Sequence, residues 1–303
     1  MRILITILFM ITLGFSQALF LSLPQKISYN KEKVDLGKNL FFDPLLSRDK
    51  DISCHSCHFN YGADREQFSI GTDNQKAFIN TPSVFNLPYK IGYFWNGRSE
   101  TLEEQMIDGP FFNKHEMASS KEIIEKRLLN SPKYIHMFQN AYHQKPNFKL
   151  VLDAIVEFQN TLISKNSKFD KYLRHELELS LEEQKGLELF ISYGCASCHN
   201  GINLGGNSYQ KFGTVIELRD NLGQWEDRYK VTGKLEDKNV FIVPGLRNVA
   251  KTAPYFHSGH IKTLKEAIML MGYYNIGVVL TKDEIHYIEK FLQTVTGDLP
   301  ETF

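Results

Sequence analysis

The feature that most constrains this chain is the placement of its four cysteines. They occur in two copies of one pattern, Cys54-His55-Ser56-Cys57-His58 and Cys195-Ala196-Ser197-Cys198-His199. Two thiols at this spacing can each form a thioether with one vinyl group of a haem, and the adjacent histidine is delivered to the iron. We interpret the two copies as attachment sites for two covalent c-type haems, with His58 and His199 as proximal ligands. Their repetition suggests a duplicated one-haem domain.

Two other uses of the same cysteines stay open at this point. An even number of cysteines in an exported chain ordinarily indicates disulfides, and C-x2-C pairs also bind zinc. The 137 residues between Cys57 and Cys195 are far more than one zinc module usually spans. His55, inside the first motif, cannot easily turn back to the same iron and is expected at the surface.

The first residues have the pattern of an export signal. Arg2 precedes an apolar run from Ile3 to Phe15, and Ser16-Gln17-Ala18 follows as a small-x-small cleavage site. The run is shorter than a membrane span of roughly 20 residues, so a signal peptide over 1–18 is favoured over a retained anchor. The mature protein is expected in the periplasm, without membrane contact. A formal net charge of +0 gives no reason to expect nucleic acid as a partner.

Helical periodicity dominates the rest of the chain. Five apolar residues share one predicted helix face: Val151, Ala154, Ile155, Phe158 and Leu162. Four capping boxes predict further helix starts: Ser119-x-x-Glu122, Ser180-x-x-Glu183, Thr263-x-x-Glu266 and Thr281-x-x-Glu284. We predict a mainly α fold of two cytochrome c-like haem domains, 19–165 and 166–303, with long loops and an interdomain interface.

Six further segments resemble the bacterial di-haem cytochrome c peroxidases, with di-haem enzymes that oxidise protein side chains as more distant relatives. They are Leu40-Phe41-Phe42-Asp43-Pro44, Asn80-Thr81-Pro82-Ser83-Val84, Phe94-Trp95-Asn96-Gly97-Arg98, Phe169-Asp170-Lys171-Tyr172-Leu173, Leu246-Arg247-Asn248-Val249-Ala250 and Pro254-Tyr255-Phe256-His257-Ser258-Gly259. The resemblance implies an enzyme that reduces hydrogen peroxide to water with electrons from a reduced cytochrome c or a cupredoxin. The N-terminal haem would meet peroxide, and the C-terminal haem would store an electron.

The same resemblance implies roles for individual residues. Glu116 and Gln105 would lie on the peroxide side of the N-terminal haem, where a carboxyl group can move a proton between the two peroxide oxygens. Met271 would be the second axial ligand of the C-terminal haem and would raise its potential, with Met269 as the weaker candidate. Trp95 would relay electrons between the haems.

The resemblance further implies one Ca²⁺ between the domains, bound by the Asn80 side chain and the backbone carbonyls of Thr252 and Pro254. Oxygen ligands suit this hard cation. Ordinary alternatives exist, since Asn80 begins an Asn-Thr-Pro turn and Met271 is in phase with an apolar helix face. The family includes homodimers, so a second copy is a further expected partner, although the sequence shows no interface.

One departure from the family pattern concerns the resting state. Many members carry a distal histidine in a Ser-Ile-Gly-His segment, whereas this chain has Ser69-Ile70-Gly71-Thr72. Threonine is a poor iron ligand, and His115 or Tyr61 could substitute without matching the pattern. We therefore predict an N-terminal haem that is five-coordinate or water-bound at rest and needs no reductive activation.

Two other functions stay open. A non-enzymatic electron carrier would have both haems closed and would only pass electrons. A side-chain-oxidising enzyme would use a tyrosine in place of the methionine ligand, and Tyr273 and Tyr274 lie close to Met271.

Overall fold

The computed structural model describes residues 19–59, 61–217 and 226–303, so the predicted signal peptide lies outside the described residues. The helices are α1 (Lys31–Phe42), α2 (Cys54–Cys57), α3 (Leu102–Asp108), α4 (Lys121–Leu129), α5 (Pro132–Tyr142), α6 (Phe148–Asn160), α7 (Lys168–Leu173), α8 (Leu181–Ser192), α9 (Tyr229–Thr232), α10 (Leu264–Met271) and α11 (Lys282–Thr294). Strand β1 (Tyr209–Lys211) pairs antiparallel with β2 (Val240–Ile242). The prediction of a mainly helical fold with long loops is confirmed. None of the described helices is long and apolar enough to cross a bilayer.

Three of the four predicted helix starts are confirmed by side-chain caps, those at Ser180, Thr263 and Thr281. The fourth is wrong by one residue, because the side chain of Ser120 accepts the backbone N–H of Ile123 at 3.2 Å. Ser119 belongs to the preceding loop, where its N–H donates to the carbonyl of Phe111 at 2.8 Å. Ser119 is thus tied to the loop, and Ser120 caps the helix.

Two pairs of helices approach each other closely at a glycine. α1 packs on α6, and α8 packs on α11. A Cβ atom at Gly37 would lie 1.8 Å from the carbonyl oxygen of Ala154, and one at Gly186 would lie 1.9 Å from that of Tyr287. Each crossing therefore excludes every residue except glycine at its centre.

Buried apolar residues form two clusters, one within 34–162 and one within 169–295 apart from Phe20. Each cluster also contacts an aromatic residue from the far end of the described chain. Phe20 packs edge to face on Phe169 in the second cluster at 5.4 Å, whereas the ring of Phe303 lies 5.0 Å from that of Phe85 in the first. The predicted division at 165/166 falls between the clusters, and each cluster is also touched by the opposite end of the chain.

One segment of the first half, residues 82–101, repeats in the second half at an offset of 162 residues. Corresponding pairs include Pro82 and Pro244, Tyr93 and Tyr255, and Thr101 and Thr263. The backbones agree as well. Asn86 and Asn248 have φ of 59° and 66°, and Gly97 and Gly259 have φ of 66° and 61°. The repeat supports the duplication suggested by the two haem motifs.

A buried hydrogen-bond network joins the repeated loops at Ser164. Its Oγ accepts from the Nδ2 atoms of Asn86 at 2.9 Å and Asn248 at 2.8 Å. The Oδ1 atoms of the two asparagines accept the backbone N–H groups of Ser164 at 3.1 Å and Gly297 at 3.0 Å, respectively. Satisfied buried networks of this kind rigidify a structure, so the loops that carry the two sites are held in a fixed relation.

Candidate functional site

The four cysteines lie in two separate pairs with free thiols. Within the part of the chain that the structure describes, no three His, Cys, Asp or Glu side chains come together as a metal cluster. In the described structure the cysteines are therefore joined neither in disulfides nor in a single four-cysteine cluster.

Each motif begins with a short helical turn that sets the spacing of its thiols. Cys54 and Cys57 are the first and last residues of α2, which opens with a capping box between Ser53 and Ser56. Cys195 opens a 3-10 turn that ends at Ser197. Burial raises the pKa of Cys54 to about 12 and that of Cys195 to about 11, so these groups stay protonated thiols until they react.

The two motif histidines are held in the same tautomer. Nδ1 of His58 lies 3.0 Å from the carbonyl oxygen of Gly62, and Nδ1 of His199 lies 3.4 Å from that of Leu204. A carbonyl oxygen can only accept, so Nδ1 carries the proton and Nε2 keeps its lone pair. Burial lowers the pKa of both histidines to about 4. Both rings are therefore neutral and offer Nε2, the arrangement of a metal-ligating histidine.

A cavity of about 750 Å³ lies beside the second motif, within the size range of cofactor pockets. Its wall includes Cys195, Cys198 and His199. Apolar side chains supply another part of the wall: Leu264, Ala267, Ile268, Leu280, Ile288 and Leu292. An apolar slot with two thiols and a neutral histidine fits a covalently attached haem.

Met271 also lines this cavity, whereas Met269 is 44% exposed. Tyr273 and Tyr274 belong to a π-helical turn, Gly272–Ile276, and are not among the described residues of the cavity wall. The structure therefore brings Met271 to the second haem motif and leaves the other three side chains outside.

Glu116 is half-buried and lies close to the first motif, since its charge acts on the thiols there. Its Oε1 accepts a hydrogen bond from Nδ2 of Asn113 at 2.9 Å, and its carbonyl oxygen accepts the N–H of Thr72 at 2.8 Å. Burial raises the pKa of the Glu116 carboxyl, although the bond from Asn113 and the charge of Arg98 act in the opposite direction. A carboxyl group with a raised pKa can both take and return a proton.

Gln105, the other residue predicted on the peroxide side, lies on α3 in a half-buried position. Its backbone N–H donates to the carbonyl of Thr101 at 3.0 Å, within the first turn of the helix. The described contacts do not join its amide to Glu116, so its role stays a prediction.

Trp95 lies where the two halves meet. Its Nε1–H donates to the carbonyl of Asn80 at 2.8 Å, and its own carbonyl accepts the N–H of Ile242 in β2 at 2.8 Å. Its ring packs edge to face on His257 at 6.1 Å. His257 is the residue at offset 162 from Trp95, so the two rings occupy equivalent places in the two halves. Both line the cavity of the second motif.

Comparison with known proteins decides the family. The model of the di-haem cytochrome c peroxidase family matches residues 31–178. The cytochrome c551 peroxidase of Nitrosomonas europaea is 41% identical over 90% of this chain and 82% of that protein. The cytochrome c551 peroxidase of Pseudomonas aeruginosa is 38% identical over 94% of this chain and 86% of that protein. This chain belongs to the di-haem cytochrome c peroxidase family.

A solved structure shows the same fold. It is that of a MauG-like protein associated with microbial copper homeostasis, with a TM-score of 0.80 and 28% sequence identity. The alignment covers 91% of this chain and 93% of that chain. The fold of this peroxidase-family member therefore extends over nearly its whole length.

The predicted calcium ligands are only partly brought together. Nδ2 of Asn80 lies 2.8 Å from the carbonyl oxygen of Pro254 and 3.0 Å from that of Phe256. Its Oδ1 is buried and has no hydrogen-bond partner among the described residues. Thr252 lines the same cavity, but no described contact joins it to Asn80. The structure thus places the carbonyl oxygen of Phe256 beside the Asn80 amide, a contact that the sequence did not predict.

Thr72, which stands where many family members carry a histidine, is fully buried. Its Oγ1 donates to Oδ1 of Asp51 at 3.2 Å. A Cβ atom at Gly71 would lie 2.1 Å from the carbonyl oxygen of His115, so this segment packs directly against the loop that carries Glu116. In this chain, residues 69–72 therefore support the backbone of the loop at Glu116.

His55, which the sequence analysis expected at the surface, is half-buried. Its ring lies 4.3 Å from that of Phe42 and 5.7 Å from that of Phe303, and burial lowers its pKa. The reason is the C-terminal residue Phe303, which returns to the first cluster and covers the motif.

Three polar residues near the sites were not predicted, namely Lys90, Arg98 and His257. The internal repeat is the signal that identifies His257, because it aligns this residue with Trp95. An isolated lysine in a loop is usually solvated, so the sequence offers no comparable signal for Lys90.

Proposed function

We propose that this chain is a periplasmic di-haem peroxidase that reduces hydrogen peroxide to two waters, with two electrons from a reduced cytochrome c or a cupredoxin. The observation that carries the proposal is the half-buried Glu116 carboxyl, with its raised pKa, beside the first of two haem-attachment motifs. Cys54, Cys57 and His58 would hold one haem. Cys195, Cys198 and His199 would hold the other. The periplasmic location rests on the pattern of residues 1–18.

The haems, when bound, supply the redox chemistry by accepting electrons from the donor and delivering them to peroxide. The chain itself handles the protons. Glu116 takes a proton from one peroxide oxygen and returns it to the other, which leaves as water. Asn113 orients the carboxyl group through its hydrogen bond to Oε1. Two electrons and two protons convert one peroxide into two waters, so the reaction balances.

Electron transfer between the two halves would use the aromatic contact at their boundary. Trp95 comes from the first half and His257 from the second, and their rings are in edge-to-face contact. His257 also stacks on Phe241, with ring centroids 4.2 Å apart. A packed and hydrogen-bonded indole in this position supports the proposed relay role of Trp95.

We also propose a Ca²⁺ site at Asn80. Rotation of its amide would direct Oδ1 toward the carbonyl oxygens of Pro254 and Phe256, and the oxygen and nitrogen of an amide differ only by assignment. Three neutral oxygens would then converge, a donor set suited to a hard cation. The buried, unpartnered Oδ1 supports this arrangement.

The internal repeat supports an open coordination site on the N-terminal haem. The residue at offset 162 from Met271 is Gly109, which has no side chain to offer the iron. The hydroxyl of Thr72 is hydrogen-bonded to Asp51. The side chain that closes the second site therefore has no counterpart at the first.

Steady-state peroxide consumption by the fully oxidised, haem-loaded protein tests this assignment. Mixed with a reduced cytochrome c and never pre-reduced, the protein is expected to turn over at once. A lag that pre-reduction removes would support the peroxidase assignment but overturn the open site. A fully low-spin bis-histidine spectrum of the resting N-terminal haem would also overturn the open site. No turnover under either condition, with both haems still exchanging electrons, would favour an electron carrier.

Replacement of Met271 by alanine tests the second axial ligand. We expect a fall of more than about 59 mV in the C-terminal haem potential, a tenfold change for a one-electron couple, together with loss of the methionine-ligated spectrum. Met269→Ala, on an exposed position of the same helix, is the matched control and should change neither. If Met271→Ala leaves the spectrum unchanged and Tyr274→Phe alters it, the side-chain-oxidising relatives become the better comparison.

A further inference from the structure

Lys90 belongs to the first half of the chain but lies in the cavity of the second haem motif. It follows a 3-10 turn, Leu87–Tyr89, and shares the cavity wall with His199. The N–H of Ile91 donates to the carbonyl of Gly206 at 2.9 Å, and a Cβ atom at Gly206 would lie 3.3 Å from Cγ of Lys90. The lysine is thus packed against the loop that follows the second motif.

The Lys90 ammonium has no acidic partner in the described part of the chain. None of the ion pairs or hydrogen bonds within residues 19–59, 61–217 and 226–303 involves its Nζ, and burial lowers its pKa to about 8. A desolvated cation is unfavourable unless an anion pairs with it. Because Lys90 lines the cavity, an anion bound there would meet this charge.

The other positively charged side chains of the cavity wall do not need an anion from outside the described chain. Arg247 forms a fully buried ion pair with Asp170 at 2.9 Å and also donates to the carbonyl of Ile202 at 2.6 Å. Lys211 is exposed to solvent. Lys90 is therefore the half-buried cation of this wall that lacks an acidic partner in the described chain.

We infer that Lys90 pairs with a propionate of the haem attached to Cys195 and Cys198. The inference rests on the proposed function, because it requires that haem. Haem c carries two carboxylates on the edge opposite the vinyl groups that form thioethers. A positive charge near the iron favours the ferrous state, so Lys90 would raise the potential of the electron-storing haem. Its charge also acts on His58 of the first motif.

The test is a spectroelectrochemical titration of the haem-loaded Lys90→Gln protein, with haem content measured separately. For the loss of one positive charge at an effective dielectric of about 20, we expect the ferrous-to-ferric ratio of the C-terminal haem at fixed potential to fall about tenfold. This corresponds to about 59 mV. Lys90→Arg keeps the charge and should retain the wild-type potential. Lys211→Gln, an exposed lysine of the same wall, is the matched control.

An unchanged potential in Lys90→Gln, with both haems attached, would overturn the inference, as would an equal shift in Lys211→Gln. Should Lys90→Gln fail to attach both haems, Lys90→Arg decides through the propionate bending band of its resonance Raman spectrum. A displaced band supports the contact, and an unmoved band overturns it. Peroxide turnover is assayed apart from the potential, so a shifted potential without any turnover would reject the proposed function and leave the Lys90 contact standing.

Discussion

Replacement of Glu116 by glutamine is expected to reduce peroxide turnover about 10²- to 10⁴-fold, the range for loss of a general acid–base group. Glutamine keeps the size of the side chain and an oxygen that can accept the hydrogen bond from Asn113. It cannot take a proton from one peroxide oxygen and return it to the other. The measurement is kcat with a reduced cytochrome c, at haem content equal to that of the wild type.

The pH profile gives a second readout of the same carboxyl group. Glu116 must be deprotonated to take the first proton, and burial raises its pKa above that of an ordinary glutamate. Activity should therefore fall as the pH decreases through this raised pKa, at a higher pH than a solvated glutamate would produce. The Glu116→Gln protein should lack this acidic limb in its residual activity.

Glu100→Gln is the control for a general effect of charge, because Glu100 is exposed on the loop that precedes α3. Its turnover should match that of the wild type. Activity of Glu116→Gln within a few-fold of the wild type, or an equal loss in Glu100→Gln, would remove Glu116 from the mechanism.

The haem motifs could be predicted because their chemistry acts over a few adjacent residues. Two thioethers and an iron ligand need a fixed local spacing, and a short helical turn provides it in each motif. Helix starts were predictable for the same reason, since a cap reaches only three residues ahead. The prediction at Ser119 failed because its backbone N–H is hydrogen-bonded to the carbonyl of Phe111, a contact outside that range.

The contacts that complete the sites come from distant parts of the chain. Phe303 covers His55 only because the C-terminal end returns to the first cluster. Lys90 reaches the second motif because its loop is hydrogen-bonded to Gly206. The carbonyl of Phe256 near Asn80 belongs to the backbone and leaves no trace in residue identity. Spacing and periodicity cannot show such contacts, because they depend on tertiary packing.

Alanine at Gly186 is expected to lower the free energy of unfolding of the second half by about 3 kcal/mol, the upper part of the range for overpacking. Its Cβ would lie 1.9 Å from the carbonyl oxygen of Tyr287. That atom is backbone, so the clash is relieved only if α8 and α11 separate. Alanine is a better helix former than glycine by about 1 kcal/mol. Any measured destabilisation must therefore come from the clash, because helix propensity alone would stabilise the variant. Lys185→Ala, at the exposed neighbouring position, should change stability by no more than about 0.5 kcal/mol.

Gly37→Ala makes the equivalent change in the first half, where the Cβ would lie 1.8 Å from the carbonyl oxygen of Ala154. Denaturant titration, followed through the absorbance of each haem, should separate the two effects. Gly186→Ala should shift the transition seen at the C-terminal haem, and Gly37→Ala the one seen at the N-terminal haem. Equal shifts at both haems in both variants would mean that the network at Ser164 makes the clusters unfold as one unit. Stability equal to that of Lys185→Ala would contradict the close helix crossings, and with them the glycine-centred packing behind both haem motifs.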